Sequence, residues 1–296
     1  MELTQDYKNK VTTAIKIAFD NYGGNQKAYA RILDIHYTVL NQLLQGKMTT
    51  SKGGNLLDSG SWIRIGRKLN VTLKESKWKF VRTSVYNEIE DNIKFCKENA
   101  KGMILVDDCG IGKTVAGKRV CTQLKNAFYI DCSQCKSKKL LIKAIARAVG
   151  IDDKGKLEDI NADTKYFINT LEEPVFVMDE VGDLEHTAFL ELKSYMNATV
   201  GGCGWYFMGA DGLKAKMDRG INNNKVGFAE IFSRLSDEYV TLVPIGQEDR
   251  TQFYTELIGT VATAQGCESD LVRRLIKQCL NKKSTLRKLE TLITMI

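Results

Sequence analysis

The stretch Met103–Thr114, MILVDDCGIGKT, constrains this chain more than any other. An apolar run suited to a buried strand passes directly into a turn with two glycines and then into Lys-Thr. A phosphate loop needs that order: a strand, a tight glycine-rich turn, and a helix that opens at the lysine. Gly110 and Gly112 let backbone N–H groups close on phosphates. Lys113 opens the helix and reaches toward the β- and γ-phosphates, and Thr114 offers a hydroxyl to Mg²⁺. The helix N-terminus adds favourable partial charge for an anion. The usual first glycine is missing, and Asp107 stands in its place. Aspartate tolerates unusual backbone angles better than most residues. Its carboxylate is expected to point away from the phosphates. The cofactor-binding set is therefore Asp108, Cys109, Gly110, Ile111, Gly112, Lys113, Thr114 and Val115.

A second acidic motif supports the first. Strands are expected at 103–106, 127–132, 174–180, 204–210 and 239–245. Helices are expected at 113–124, 138–150, 163–172 and 187–198. This alternation predicts an α/β fold with a mostly parallel sheet covered on both faces. VFVMDE at 175–180 ends one strand with two carboxylates. In such sheets the strand C-termini face the ligand crevice. Asp179 can hold the water shell of Mg²⁺ together with Thr114, and Glu180 can polarise an attacking water. The substrate expected is ATP or GTP.

Composition narrows the class. The chain has 296 residues, 43% of them hydrophobic, enough for one large or two to three small domains with a sizeable core. No apolar run is long enough for a membrane span, and MELTQDYKNK lacks the apolar centre of a signal peptide. A cytoplasmic location is the expectation. The net charge of +7 inclines the chain toward anionic partners such as nucleic acid. Of eight cysteines only Cys132 and Cys135 form a CxxC, with no second pair at zinc spacing. The cysteines read as small buried residues.

With GIGKT at 110–114, VFVMDE at 175–180, GWYFMGADGLK at 204–214, FSRL at 232–235 and LRKLETLI at 286–293, the sequence resembles an AAA+ ATPase over roughly residues 85–296. The resemblance implies a P-loop core with a five-stranded parallel sheet in the order 5-1-4-3-2. It also implies a C-terminal helical lid and homo-oligomers, helical filaments or rings, with ATP at each subunit junction. It assigns Arg234 as a finger entering a neighbour's site, with Arg219, in a glycine- and asparagine-rich loop, as a second candidate, and Arg287 as the lid arginine that reaches the phosphates. The family often has a polar residue at the end of the fourth strand. Here the strand ends in Ala210 and Asp211, and Asp211 either orients the water or only caps the next helix. The catalytic set is then Glu180, Lys113, Arg234 and Asp211, and hydrolysis is expected to be slow and stimulated by DNA or a partner.

Residues 25–47, NQKAYARILDIHYTVLNQLLQGK, carry two short apolar helical faces around a turn, and WIRIGRKLNV at 62–71 adds another helix. This start resembles a repressor-type helix-turn-helix domain. Its second helix would present His36, Tyr37, Thr38, Asn41, Gln42 and Gln45 to a major groove. Lys47, Lys52, Arg64, Arg67 and Lys68 would touch phosphates. Two further lysine groups are candidate backbone contacts: Lys136, Lys138, Lys139 and Lys143, and Lys214, Lys216 and Lys225 with Arg219. The expected domains are 1–80 for helix-turn-helix DNA binding, 81–247 for the ATPase core and 248–296 for the lid. A small helix-turn-helix domain before a short core and compact lid resembles the phage Mu B type of transposition ATPase. That resemblance implies assembly on double-stranded DNA, target selection and activation of a transposase. A helicase-loader-type replication ATPase and an ATP-gated assembly scaffold with little hydrolysis stay open.

Overall fold

An eight-residue helix leaves much of its backbone polarity unpaired unless caps and turns take it up. The N-terminal helices show how this sequence supplies them. The computed structural model describes residues 3–22, 25–51, 53–69, 71, 78–280 and 286–296; Lys52 lies outside the described residues. Contacts divide the chain into two compact units, residues 1–77 with 150–154, and residues 78–149 with 155–296.

The first unit holds α1 (Gln5–Tyr22), α2 (Gln26–Leu33), α3 (Tyr37–Leu44) and α4 (Ser59–Lys68). Asn25 Oδ1 accepts the Ala28 N–H at 2.8 Å and starts α2. Asp34 turns left-handed at φ 56° and ends it. His36 is exposed, as expected, but its ring is engaged with its own chain: Nδ1 accepts the Thr38 N–H and thereby caps α3. Asp58 caps α4, which begins three residues before the expected 62 and stops at Lys68. Val11, Ile15, Leu33, Leu40, Leu43, Trp62 and Ile65 form the core of this unit.

The second unit is built on α5 (Ser84–Asn99), β1 (Gly102–Val106), α6 (Lys113–Gln123), β2 (Ala127–Asp131), α7 (Lys138–Val149), α8 (Leu157–Ile168), β3 (Val175–Asp179), α9 (His186–Ala198), β4 (Gly204–Gly209), α10 (Asp211–Asn222), α11 (Phe228–Arg234) and β5 (Tyr239–Val240). The five strands are all parallel, in the order β2-β3-β4-β1-β5, which is the expected order read from the opposite edge. Every residue of β3 and β4 is buried, as parallel strands covered on both faces require. Val175, Val177, Tyr206 and Met208 pack in one core with residues of α5 and α6. The alternate residues Phe128, Phe176 and Trp205 lie ring on ring across three strands, at 5.1 and 4.8 Å. The strand ends are level: Asp131 pairs with Asp179 and Val106 with Gly209, so the loops that follow gather along one edge. A helical lid completes the unit with α12 (Gln247–Ala264), α13 (Ser269–Leu280) and α14 (Leu286–Thr294). Among the described residues, no helix is long and apolar enough to cross a membrane.

Three elements differ from expectation. The helix expected at 163–172 runs from Leu157 to Ile168, because Glu158 and Asp159 favour a helix start there. Arg219, expected in a glycine- and asparagine-rich loop, lies on α10 with Lys214 and Lys216; Leu213 and Met217, four residues apart, bury one face of that helix. The fifth strand, expected over 239–245, pairs only at Tyr239 and Val240. Its continuation is captured by a side chain instead. Asp107 Oδ2 accepts the N–H groups of Leu242 and of Val243, the latter at 2.9 Å.

Asp107 is thus a structural anchor at the entrance of the phosphate loop. It does not adopt a left-handed backbone, so the position does not call for glycine. Its N–H continues the ladder to Gly209 O at 3.3 Å, and its carboxylate points to the segment after β5, away from the loop. Asp107→Ala strands buried backbone donors and is expected to lower unfolding free energy by about 1–3 kcal/mol, measured by chemical denaturation.

Candidate nucleotide site

β1 ends at Val106, and the chain turns through Asp107–Gly112 into α6. Gly112 has φ 107°, a conformation that side-chain-bearing residues rarely adopt, and no side chain caps the helix it precedes. Within the loop Ile111 is fully buried in the core, so only its backbone can serve a ligand. Cys109 and Val115 are exposed. The Lys113 side chain is buried, and its Nζ donates to the carbonyl oxygens of Asp107 and Asp108, both at 2.7 Å. Burial holds its ammonium below the usual lysine range.

The two acidic-motif residues meet the loop directly. Thr114 Oγ1 donates to Asp179 Oδ2 at 2.7 Å. The Tyr129 hydroxyl, from β2, donates to the same oxygen at 2.7 Å. The Glu180 N–H donates to Asp179 Oδ1 at 3.0 Å. Glu180 itself is left-handed, φ 53° and ψ 41°, a conformation costing a non-glycine residue roughly 1–2 kcal/mol. Its carboxyl lies above the ordinary glutamate range, first because its inner side is partly desolvated although the residue reaches solvent, and then because Asp179 is beside it. An exposed, strained carboxylate with raised basicity suits a general base.

A lid clasp completes the loop. Arg250 and Tyr254, one turn apart on α12, both bond the Asp108 carboxylate. The Leu286 N–H, at the start of α14, donates to Gly110 O at 3.0 Å. Lid helices therefore hold the phosphate loop at two points.

The structure brings together Lys113, Thr114, Asp179 and Glu180. It places the other sequence candidates elsewhere. Arg287 is exposed, next to Leu286. Asp211 is not the cap of α10; Ala210 holds that position, and Asp211 sits in the first turn with its side chain exposed. Arg234 donates from Nη1 to Glu230 O at 3.0 Å, and its own carbonyl lies against Gly102, the first residue of β1. The five residues of β1 span roughly 13 Å from that end to the loop end. Lys136 pairs with Asp183 at 2.9 Å, and Lys216 donates to Gly182 O at 2.9 Å, so the two lysine groups meet at the loop after β3. Lys138 pairs with the buried Glu191 at 2.9 Å, Lys214 lies over the Tyr239 ring, and Lys139 is exposed. Cys132 and Cys135 are both buried at the end of β2. On α3, Thr38, Asn41 and Gln45 are exposed, with Gln42 half-buried and Lys47 exposed just beyond.

Residues 96–217 match the family model described as an AAA domain. Over those residues the chain is similar to AAA domains in general. The matched span takes in the loop, Lys113–Thr114 and Asp179–Glu180, and supports ATP binding and hydrolysis as the domain's general activity. No curated protein matches the chain. The site presents Thr114 Oγ1 and the Asp179 carboxylate side by side, oxygens of the kind that Mg²⁺ takes up directly or through water beside phosphates. Among the described residues no group of three or more His, Cys, Asp or Glu side chains is placed to hold a metal. The donor set fits a cation that shares its shell with nucleotide and water.

Tyr129, Arg250 and Tyr254 escaped the sequence reading. Tyr129 falls inside the strand expected at 127–132 with no role given to it, although a hydroxyl near the C-terminal end of a strand is a usable signal. Arg250 and Tyr254 share one helix face at i, i+4 spacing, a signal only once that face is known to meet the loop.

Two outcomes follow for the AAA domain. A base stops working once protonated, and the Glu180 carboxyl is raised above 4.5. Phosphate release should therefore be full above that raised value and fall as pH drops through it, with an acid limb above 4.5 that is absent from the residual rate of Glu180→Gln. Arg250→Ala breaks a partly exposed ion pair and should speed release of labelled ADP about two- to fivefold in stopped flow.

Proposed function

We propose that this chain is an ATP-driven DNA-binding AAA+ ATPase whose copies assemble on double-stranded DNA, as a helical filament or ring with ATP at the subunit junctions. In this reading it selects target DNA and activates a transposase in DNA transposition, in the manner of the phage Mu B type. The observation that carries the reading is the position of Arg234, beside the first residue of β1 and a strand's length from its own phosphate loop. An arginine there can neutralise a γ-phosphoryl group only in another copy of the chain.

The division of labour within one copy follows from the geometry. Lys113 leaves its loop carbonyls for phosphate oxygens. Glu180 takes a proton from the attacking water. Mg²⁺, held by Thr114 Oγ1 and through water by Asp179, would neutralise phosphate charge. Arg287 starts the helix whose first residue bonds the loop, which keeps it a candidate for phosphate contact. For DNA, the exposed Thr38, Asn41 and Gln45 with Lys47 form a polar face on a short, well-capped helix suited to a major groove. Lys139, with Lys136 and Lys214 on exposed positions, supplies backbone contacts, while Lys216 is half-committed to loop carbonyls.

A second reading, an ATP-gated scaffold with little hydrolysis, is favoured by one feature. Beyond β4 the chain places Ala210 at the helix cap, so no polar side chain stands at the first position after the strand. Phosphate release measured with DNA separates the two readings: a scaffold binds ATP and assembles with almost no turnover.

The deciding experiment is electron microscopy of the protein with double-stranded DNA, with and without ATP. ATP-dependent filaments on DNA are expected. Closed rings without DNA, or assembly indifferent to ATP, would overturn the reading. Lys113→Ala should abolish nucleotide-dependent DNA binding, and Glu180→Gln should preserve binding and prolong the DNA-bound state in a filter or fluorescence assay.

A further inference from the structure

The Tyr129 hydroxyl has no role in the reading above, yet it ends on the carboxylate at the centre of the site. β2 pairs with β3 so that Tyr129 lies opposite Val177, on the sheet face that packs with α6. The ring passes close to Gly117 of α6, whose missing side chain makes room chiefly for Met208 and Val177 of the neighbouring strands. A methyl group there would come within 2.7 Å of Met208 Cε and 3.6 Å of a Tyr129 ring carbon. Lys118 Nζ lies 5.2 Å from the ring centre, fixing it from the helix side.

The hydroxyl then completes an acceptor count. A carboxylate oxygen offers two lone-pair sites. Asp179 Oδ2 takes Thr114 Oγ1 and the Tyr129 hydroxyl, each at 2.7 Å, and is full. Oδ1 takes only the Glu180 N–H at 3.0 Å. One lone pair of a buried carboxylate is therefore left, on Oδ1.

We propose that Tyr129 is a positioning residue for the Mg²⁺–nucleotide complex: by filling Oδ2 beside Thr114, it fixes the rotation of the Asp179 carboxylate and leaves Oδ1 as the oxygen for the water shell of the cation. This rests on the ATP reading above. Phenylalanine keeps the ring but leaves Oδ2 one donor short, so the carboxylate loses its unique orientation. Groups that orient the ligands of a metal typically shift its affinity by about 10- to 100-fold.

The test is the Mg²⁺ dependence of nucleotide binding by the full chain, read from the fluorescence of N-methylanthraniloyl-ATP at rising Mg²⁺ and in EDTA. Tyr129→Phe should raise the Mg²⁺ needed for half-maximal binding about tenfold, while the Kd in EDTA stays as in wild type. A tyrosine with only a packing role would lower Tm and weaken binding equally with and without Mg²⁺. That result overturns the proposal, as does an unchanged Mg²⁺ dependence. If the wild-type chain binds no nucleotide at all, the ATP reading falls and this inference with it. Should Tyr129→Phe not fold, wild-type protein with an isotope-labelled tyrosine ring answers by NMR. The Tyr129 signal should move when Mg²⁺ is added to the ATP-loaded chain, and a signal that stays still overturns the proposal.

Discussion

A carboxylate that is almost fully buried must be surrounded by donors, and Asp179 sets the arrangement of the site for that reason. Its three donors come from α6, from β2 and from the backbone of Glu180. Satisfying one charged group therefore fixes the helix after the phosphate loop, the neighbouring strand and Glu180, the residue that bears the candidate base. The level strand ends make this possible, since Asp131, Asp179 and Met208 share a register row at one edge of the sheet. The left-handed backbone of Glu180 is the local cost of turning its side chain away immediately after a strand residue that is locked in place.

The two aspartates at the loop entrance extend this constraint outward. Asp107 faces inward and holds the chain after β5; Asp108 faces the lid and holds α12. The segment after β5 leads directly into α12, so both side chains grip one continuous stretch, from Leu242 to Tyr254, at its two ends. A movement of the loop on meeting a phosphate would reach the lid through the bonds of these two side chains and through the Leu286 N–H bond to Gly110 O. A glycine at position 107 would give the loop its freedom and remove its part of that connection.

Much of this was legible in the sequence. The parallel sheet and the meeting of Lys113, Thr114, Asp179 and Glu180 follow from buried apolar runs and two short motifs, because parallel strands bring their C-terminal loops to one edge whatever the intervening helices contain; the strand order and the helical lid are what the resemblance to AAA+ ATPases implies. The failures have a common physical origin. The fifth strand was read too long because TLVPI is apolar, and periodicity cannot reveal that a distant carboxylate takes the amides of Leu242 and Val243. Asp107 was excused as a residue tolerant of odd angles, whereas its backbone is ordinary and its side chain is what matters. Tyr129 has no legible role in the sequence, because a half-buried aromatic on a strand is usually core and only the position of Asp179 distinguishes its hydroxyl. Long-range side-chain to backbone bonds leave no local pattern to read.

The same geometry limits what one copy of the chain can do alone. Around Asp179 the cationic group from its own fold is Lys113, since Arg250 is tied to Asp108 and Arg234 lies by the first residue of β1. Charge on a transferring phosphoryl group spreads over three oxygens, and one ammonium leaves much of it unbalanced. A single copy therefore has the parts to bind a nucleoside triphosphate and to orient a base, but few to stabilise the transition state. The chemistry favours binding over turnover until another positive group arrives. Beyond Arg287, at the start of the helix that bonds the loop, two sources remain: a neighbouring copy's arginine, or Arg250 released from Asp108 as the lid shifts. The first makes hydrolysis depend on assembly and the second on lid position. Because Asp108 belongs to the phosphate loop itself, a nucleotide that displaces Arg250 would also loosen the lid, so the second route would speed turnover and product escape together, whereas the first would speed turnover alone.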